Sequence, residues 1–197
     1  MNLKEKARIF ATAAHGAIDQ RRKYTDEPYI VHPIEVAETI EYYYRFDPFI
    51  DISPDEFNSK IDIVAAASHL HDILEDTKIG INDLREEFPE SVVSLVWEMT
   101  NIAKPSDGNR AERKRIDLRK TATTSFDAKM IRLADIKSNI RTIYHCDKGF
   151  ARTYIPEKLA MLEVMKECRD TQLYMEVELQ LNLMQQELFK PKDEFEC

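Results

Sequence analysis

The chain has 197 residues, a length that suits one sizeable domain better than two. Hydrophobic residues make up 43% and charged residues 32% of it, a balance that excludes a mainly disordered chain. The net charge of −8 disfavours a nucleic-acid polymer as partner, because the long-range field would oppose its approach. No apolar run is long enough to span a bilayer and the N-terminus lacks a signal-peptide core, so we expect a cytoplasmic protein without a membrane partner.

Helices are the predicted secondary structure throughout. Glycine occurs only four times, which disfavours a fold with many tight turns and favours helices joined by short connections. Residues 21–32 contain a Thr-Asp pair and a proline and are predicted to form a loop, whereas Pro33 is well placed to begin a helix. The predicted helices cover about 3–20, 34–45, 60–76, 80–88, 90–103, 109–123, 126–145, 151–167 and 169–189.

These segments predict an all-α fold, a compact multi-helix bundle. We expect a single domain over residues 1–190, followed by a frayed C-terminal tail at 191–197. The three cysteines are widely separated and odd in number, so they are expected to be ordinary reduced thiols rather than a disulfide framework or a metal site.

The helix predicted over residues 60–76 is rich in alanine and almost entirely apolar, a pattern typical of a helix at the centre of a bundle. Five polar residues nevertheless lie within it: His69, His71, Asp72, Glu75 and Asp76. Burying a carboxylate without a partner is costly, so these groups require a cation, a hydrogen-bond network or solvent. Spacings of three and four residues direct Asp72, Glu75 and Asp76 toward one site. His69 points away from that face and is expected to be a core histidine.

Two further residues complete a possible metal site. His32 lies in the sequence YIVHP, and Asp135 lies within a second mostly apolar helix, MIRLADIKSNIRTI. Two imidazoles and two carboxylates from three elements would form an N2O2 ligand set, suited to Mn²⁺, Fe²⁺ or Zn²⁺ more than to Mg²⁺ or Ca²⁺. The His71–Asp72 pair alone would be weak evidence, since a helix end that simply meets water could carry the same residues.

Basic residues are concentrated in two places, although the protein is acidic overall. Arg21, Arg22 and Lys23 are consecutive, and residues 104–120 carry seven bases against three acids, a local charge of 7 − 3 = +4. Such clusters could bind a small anionic ligand, although a solvated charged surface would have the same composition.

Three blocks in order, RKYTDEPYIVHP, HLHDILEDT and RLADIKSNIRT, resemble the signature of the HD-type hydrolase domain of RelA/SpoT homologues. The resemblance extends over about residues 6–165 and is greatest to the stand-alone small alarmone hydrolases. It implies an HD-domain fold and four metal ligands, His32, His71, Asp72 and Asp135. It also implies that Glu75 and Asp76 activate water.

The same resemblance implies contacts with a nucleotide. Arg22 and Lys23 match a basic pair that lines the base and phosphate pocket, and Asn139 and Thr142 match positions on the ribose side. A later stretch resembles a bacterial subgroup and adds candidate phosphate or sugar contacts: Asn109, Arg110, Arg113, Lys114, Tyr154 and Lys158. For this last group, solvated helix faces are an equally good explanation.

The function implied is metal-dependent hydrolysis of the 3′-pyrophosphate of (p)ppGpp- or (p)ppApp-like nucleotides, with Mn²⁺ favoured over Fe²⁺ or Zn²⁺. Ser138 stands where the family usually has histidine, and Ile136 and Lys137 replace Arg-Leu, so the base preference stays open. The alternatives are a phosphatase or phosphodiesterase for another nucleotide such as NADPH, and a catalytically silent nucleotide-binding module. Tyr42, adjacent to two further tyrosines, suits packing or an oligomer contact, so a homo-oligomer is possible.

Overall fold

The computed structural model describes residues 1–190 and, in that part, is all-α, as predicted. The predicted frayed tail, 191–197, lies outside the described residues. The helices, with their bounds, are α1 Leu3–Gly16, α2 Val31–Phe46, α3 Pro54–Leu70, α4 Ile73–Asp76, α5 Ile81–Glu87, α6 Glu90–Met99, α7 Arg110–Ala122, α8 Phe126–Cys146, α9 Lys148–Leu162 and α10 Gln172–Leu188. None of the helices formed by residues 1–190 is long and apolar enough to cross a membrane.

Short polar side chains begin the long helices. Ser53 accepts a hydrogen bond from the backbone of Glu56 at the start of α3, where Pro54 occupies the first turn. Ser125 caps α8 in the same way, and Asn109 caps α7, where the carboxylate of Glu112 in turn accepts from the backbone amide of Asn109. Each cap satisfies amide groups that the first turn leaves without a carbonyl partner, a contribution of about 1 kcal/mol.

Helices α3 and α8 form the centre of the bundle. Helix α3 packs against α1, α2 and α6, and α8 packs against α2, α6, α9 and α10. The three consecutive alanines of α3, residues 65–67, are completely buried, and their small side chains allow neighbouring helices to approach closely. The predicted central helix is therefore confirmed as a core element. His69 is buried as predicted, although its Nδ1 atom has no hydrogen-bond partner among residues 1–190.

Several helix ends differ from those predicted, since α1 ends at Gly16 rather than about 20 and α3 begins at Pro54 rather than about 60. Two of the differences position the histidines. Helix α2 begins at Val31 rather than after Pro33, so His32 lies in its first turn instead of in the preceding loop. The helix predicted to run from 60 to 76 ends at Leu70 and resumes at Ile73. At this break the Nδ1 atom of His71 lies 2.8 Å from the carbonyl oxygen of Ser68, which gives a carbonyl at the helix end a partner.

Candidate active site

The four predicted metal ligands converge between α2, α3, α4 and α8. The Nε2 atom of His32 lies 3.2 Å from Oδ1 of Asp135 and 3.6 Å from Oδ2 of Asp72. The Nε2 atom of His71 lies 3.0 Å from the same Asp72 oxygen and 3.8 Å from the same Asp135 oxygen. Ligating atoms of His32, His71 and Asp72 all lie within 4.8 Å of one another. Residues far apart in sequence thus direct two nitrogens and two oxygens at one point.

Hydrogen bonds to the outer nitrogens orient both imidazoles. The carbonyl of Ser68 can only accept, so Nδ1 of His71 carries the proton. The hydroxyl of Ser138 donates to Glu35 across 2.7 Å and therefore accepts from Nδ1 of His32, 2.9 Å away. In the neutral form of each ring the lone pair then lies on Nε2, the atom that faces the carboxylates.

This arrangement fits a divalent cation. Both Nε2 atoms are buried and, within the described part of the chain, have no hydrogen-bond partner, an unfavourable arrangement that coordination would relieve. Burial opposes a charge on Asp72, but His71 outweighs this and lowers the pKa of Asp72 to about 2. Conversely, the carboxylates of Asp72 and Asp135 overcome burial and raise the pKa of His71 well above its ordinary value. A site that attracts a proton so strongly also attracts a metal cation.

Tyr29 is a part of the site that the sequence analysis missed. Its hydroxyl donates a 2.5 Å hydrogen bond to Oδ2 of Asp72, and its ring packs against the rings of His15 and His32. Burial, followed by the charge of Asp72, raises the pKa of Tyr29 far above its ordinary value, so the hydroxyl keeps its proton and remains a donor. In the sequence, the only signal of this role was the position of Tyr29, three residues before His32 and just ahead of α2.

The predicted acids lie at the exposed rim of the cluster. The carboxylate of Glu75 accepts two hydrogen bonds from Asn101, from its backbone amide at 2.8 Å and its side-chain amide at 3.0 Å. Burial of its carboxyl raises the pKa of Glu75, which the bonds from Asn101 offset only in part. The carboxylate of Asp76 accepts a 2.7 Å bond from Gln20. Both acids are thus held beside the predicted metal ligands, on the side of the cluster that faces solvent.

A polar cleft of about 430 Å³ adjoins the cluster. It contains all four residues predicted to contact the base and ribose side of a nucleotide: Arg22, Lys23, Asn139 and Thr142. Tyr29 also lines it and so joins the cleft to Asp72. The ring of Phe150 lies 5.6 Å from the ammonium group of Lys23, giving the cleft one apolar, aromatic wall. This combination suits a nucleotide, because the aromatic wall can contact its flat base and the cations can bind its phosphates.

The basic residues of α7 and α9 are arranged differently. Arg110 forms a two-point ion pair with Glu157, at 2.6 and 2.8 Å, so a phosphate contact by Arg110 would have to displace this pair. Lys114 and Lys158 line a separate, mainly apolar cleft of about 300 Å³. Burial lowers the pKa of Lys158 to about 8. The ring of Tyr154 is buried, and burial raises the pKa of its hydroxyl.

Arg132 is a second residue that the sequence analysis missed. It lies on α8, one turn before Asp135, and is almost fully buried. Its guanidinium donates to the carbonyl of Met99 across 2.5 Å. Burial is the main cause of the lowered pKa values of Lys158 and Lys120, and the charge of Arg132 lowers both further. The same charge partly offsets the raised pKa of Glu75. The guanidinium of Arg132 is therefore close enough to affect the charges of both Glu75 and Lys158.

Comparison with known proteins places these residues in a wider context. The sequence pattern of the HD domain matches residues 7–161, which include every residue of the His/Asp cluster and the acid rim. The human guanosine-3′,5′-bis(diphosphate) 3′-pyrophosphohydrolase MESH1 is 31% identical over 142 residues, 72% of this chain and 69% of the human protein. The Xenopus tropicalis MESH1 is 29% identical, with 92% of this chain and 93% of that protein covered.

Other relatives are much longer. A probable enzyme of the same kind from Synechocystis is 30% identical over 70% of this chain, which spans only 16% of the Synechocystis protein. Among solved structures, a metazoan SpoT orthologue that hydrolyses ppGpp superposes with a TM-score of 0.71 at 24% identity and covers 94% of both chains. This likeness establishes the shared fold.

Proposed function

The chain belongs to the HD domain family, and we propose that it is a metal-dependent hydrolase that removes the 3′-diphosphate of a guanosine or adenosine 3′,5′-bis(diphosphate) as pyrophosphate. The observation that carries the proposal is one continuous arrangement: a converging His32, His71, Asp72 and Asp135 cluster that opens into a cleft lined by Arg22 and Lys23. Relatives named as 3′-pyrophosphohydrolases of this nucleotide support the same activity.

The proposed resident metal is Mn²⁺. Two neutral imidazole nitrogens and two ionised carboxylates form a mixed donor set, which suits Mn²⁺, Fe²⁺ or Zn²⁺ better than the all-oxygen preference of Mg²⁺. When bound, such a cation lowers the pKa of water and draws charge from a phosphate oxygen. His32, His71, Asp72 and Asp135 would hold it.

The proposed roles of the remaining residues follow from their positions. Glu75, with a raised pKa and two donors from Asn101 that fix its direction, accepts the proton of the attacking water. Asp76 orients the same water from the next residue of α4. Arg22 and Lys23 hold the base and 5′-phosphate end of the nucleotide, so that the 3′-phosphate would lie at the His/Asp cluster, beside the water that the acids orient.

Substrate turnover is the direct test. Purified protein with Mn²⁺ is incubated with ppGpp, pppGpp, their adenine counterparts and NADPH, and products are resolved by chromatography. We expect pyrophosphate and the matching nucleoside 5′-diphosphate or 5′-triphosphate. The outcome against the proposal is inorganic phosphate from NADPH with no pyrophosphate from any bis(diphosphate).

A matched inactive variant makes the assay decisive. In His71→Ala, the loss of one ligand should remove metal and turnover together. A nucleotide that is still hydrolysed at the wild-type rate by this variant would reveal a contaminating activity. Nucleotide binding without hydrolysis of any compound, by a protein with full metal content, would instead identify a binding module.

A further inference from the structure

The exposed face of α10 carries a regular seam. Met175, Leu179, Leu183 and the following Phe189 are each 46–59% exposed. Together with the exposed side chains of Gln172, Asn182 and Gln186, most of them follow alternating spacings of three and four residues. This is the repeat of a helix that packs along another helix. The seam positions are Gln172, Met175, Leu179, Asn182, Gln186 and Phe189, with Leu183 beside them.

The composition of this seam is unusual for a solvent-facing surface. None of its positions is charged, whereas 32% of the whole chain is charged. Depletion of charge from an exposed helix face is a property of the centre of protein interfaces rather than of ordinary surface. The opposite face of α10 is already buried against α8 and α9 through Leu173, Val177 and Leu181.

The apolar surface continues from α10 onto the end of α2. The two elements are joined where Asp47 accepts a 2.6 Å bond from the backbone of Gln172 and where Tyr43 bonds to Glu176. Beside these contacts, Tyr42 and Phe46 are 55% and 60% exposed, with their rings 5.2 Å apart. The rings of Tyr42 and Phe46 therefore extend the uncharged α10 seam into one larger surface.

We infer that this surface, formed by the α10 seam with Tyr42 and Phe46, binds a second copy of the same chain. Six large apolar side chains that are about half exposed offer roughly 600 Å² per copy, close to the ~800 Å² per partner of a standard stable interface. A single helical seam can pack against itself about a two-fold axis, the commonest symmetry of soluble oligomers.

The charges beside the seam favour an antiparallel pairing. Two acids on α10 are already paired within the chain: Glu176 with Lys137 at 2.8 Å and Glu187 with Lys148 at 3.8 Å. Beside the seam this leaves Glu178 near its beginning and Lys190 after its end. An antiparallel pair brings Lys190 of one copy toward Glu178 of the other, whereas a parallel pair brings the two Glu178 side chains together. With Glu178 and Lys190 matched, the two-fold axis passes near Leu183 and Met184.

Sedimentation of the full chain over about 1–200 µM tests the inference, a range that covers micromolar dimers. We expect a mass twice that of the 23.0 kDa chain at the upper end. Leu179→Glu with Leu183→Glu should weaken association by about 100-fold or more, because two charges would be buried without partners. Ile9→Glu, an exposed apolar residue on α1, is the matched control and should leave association unchanged.

Cross-linking tests the orientation. In a Cys146→Ser, Cys197→Ser background, Leu183→Cys should form a disulfide-linked dimer under mild oxidation, and Ile9→Cys should not. Circular dichroism confirms that each variant is folded. A wild-type protein that stays monomeric throughout, or a dimer that survives the double glutamate change, overturns the inference. Neither readout depends on catalysis, so the proposed function and this interface can fail separately.

Discussion

The side-chain amide of Asn139 donates a 2.6 Å hydrogen bond to Oδ1 of Asp135, the same oxygen that faces both imidazoles. The amide oxygen of Asn139 in turn accepts a 3.1 Å bond from Arg22. Because Arg22 can only donate, the amide orientation is fixed and its nitrogen must face the carboxylate. One residue therefore links the cationic cleft to a predicted metal ligand.

Removing this link should weaken metal binding. Asn139→Ala deprives Asp135 of its donor and frees its carboxylate to rotate, and we expect a loss of Mn²⁺ affinity of about tenfold, the lower end of the effect of such supporting bonds. The measurement is a metal titration of the folded protein. Thr142→Ala is the control, because Thr142 lines the same cleft one turn later. Equal metal affinity in both variants would restrict Asn139 to the ribose contact that the sequence suggests.

The sequence predicted which four candidate ligands converge better than it predicted the bonds that orient them. Four residues could be chosen, His32, His71, Asp72 and Asp135. Histidines and carboxylates within apolar segments are unfavourable unless a cation or a hydrogen-bond partner stabilises them. The roles of Tyr29 and Asn101 could not be predicted, because a tyrosine before a helix and an asparagine after one are common in any sequence. Their function depends on distances between elements 26 to 43 residues apart.

The break between α3 and α4 was missed for a related reason. Residues 60–76 have uniform helical periodicity, and nothing in the pattern marks position 71 as an end. At the helix end the side chain of His71 bonds to the carbonyl of Ser68, a contact that periodicity does not encode. The beginnings of α7 and α8, capped by Asn109 and Ser125, lie within one residue of those predicted.

The hydroxyl of Tyr29 should support metal binding through Asp72. Tyr29→Phe keeps the ring that packs against His15 and His32 but removes the donor to Oδ2 of Asp72. We expect Mn²⁺ affinity to fall by about tenfold with little change in melting temperature. Tyr24→Phe removes another hydroxyl of the cleft, one bonded to Asp147, and should leave metal affinity unchanged. Unchanged affinity in both would show that Asp72 does not need this donor.

Amide substitutions at the acid rim should separate turnover from metal binding. Glu75→Gln with Asp76→Asn preserves shape but removes both proton acceptors, and we expect kcat to fall by at least 10²-fold, the lower end for general-base catalysis. Metal content should stay near wild type because, among residues 1–190, only Asp72 and Asp135 bring a carboxylate oxygen within 3.8 Å of the Nε2 atoms of His32 and His71. Elemental analysis alongside kinetics checks this. Loss of metal from the double variant would mean that one of the acids is a ligand.

The basic pair of the cleft should govern substrate affinity. Arg22→Ala with Lys23→Ala removes two cations that line the cleft, and we expect KM for a bis(diphosphate) nucleotide to rise about tenfold or more, the scale of one or two charge-assisted contacts. Arg8→Ala, an exposed arginine of α1 that pairs with Glu5, is the control and should leave KM unchanged. If the double variant has wild-type KM for every nucleotide, the cleft is not the binding site.

Lys158 should make substrate affinity depend on pH. Burial lowers the pKa of Lys158 to about 8, so its amine is charged below that pH and becomes neutral as pH rises above it. The family resemblance implies that Lys158 contacts a phosphate of the substrate. Such a contact would be cationic at pH 7 and largely lost at pH 9, so we expect KM to rise across this interval. Lys158→Arg keeps the charge at both pH values, because arginine does not titrate in this range, and should remove that part of the pH dependence.

Steady-state kinetics of both proteins between pH 7 and 9, at saturating Mn²⁺, provides the comparison. If KM rises equally in wild type and Lys158→Arg, another group titrates, and Lys158 makes no contact with the substrate.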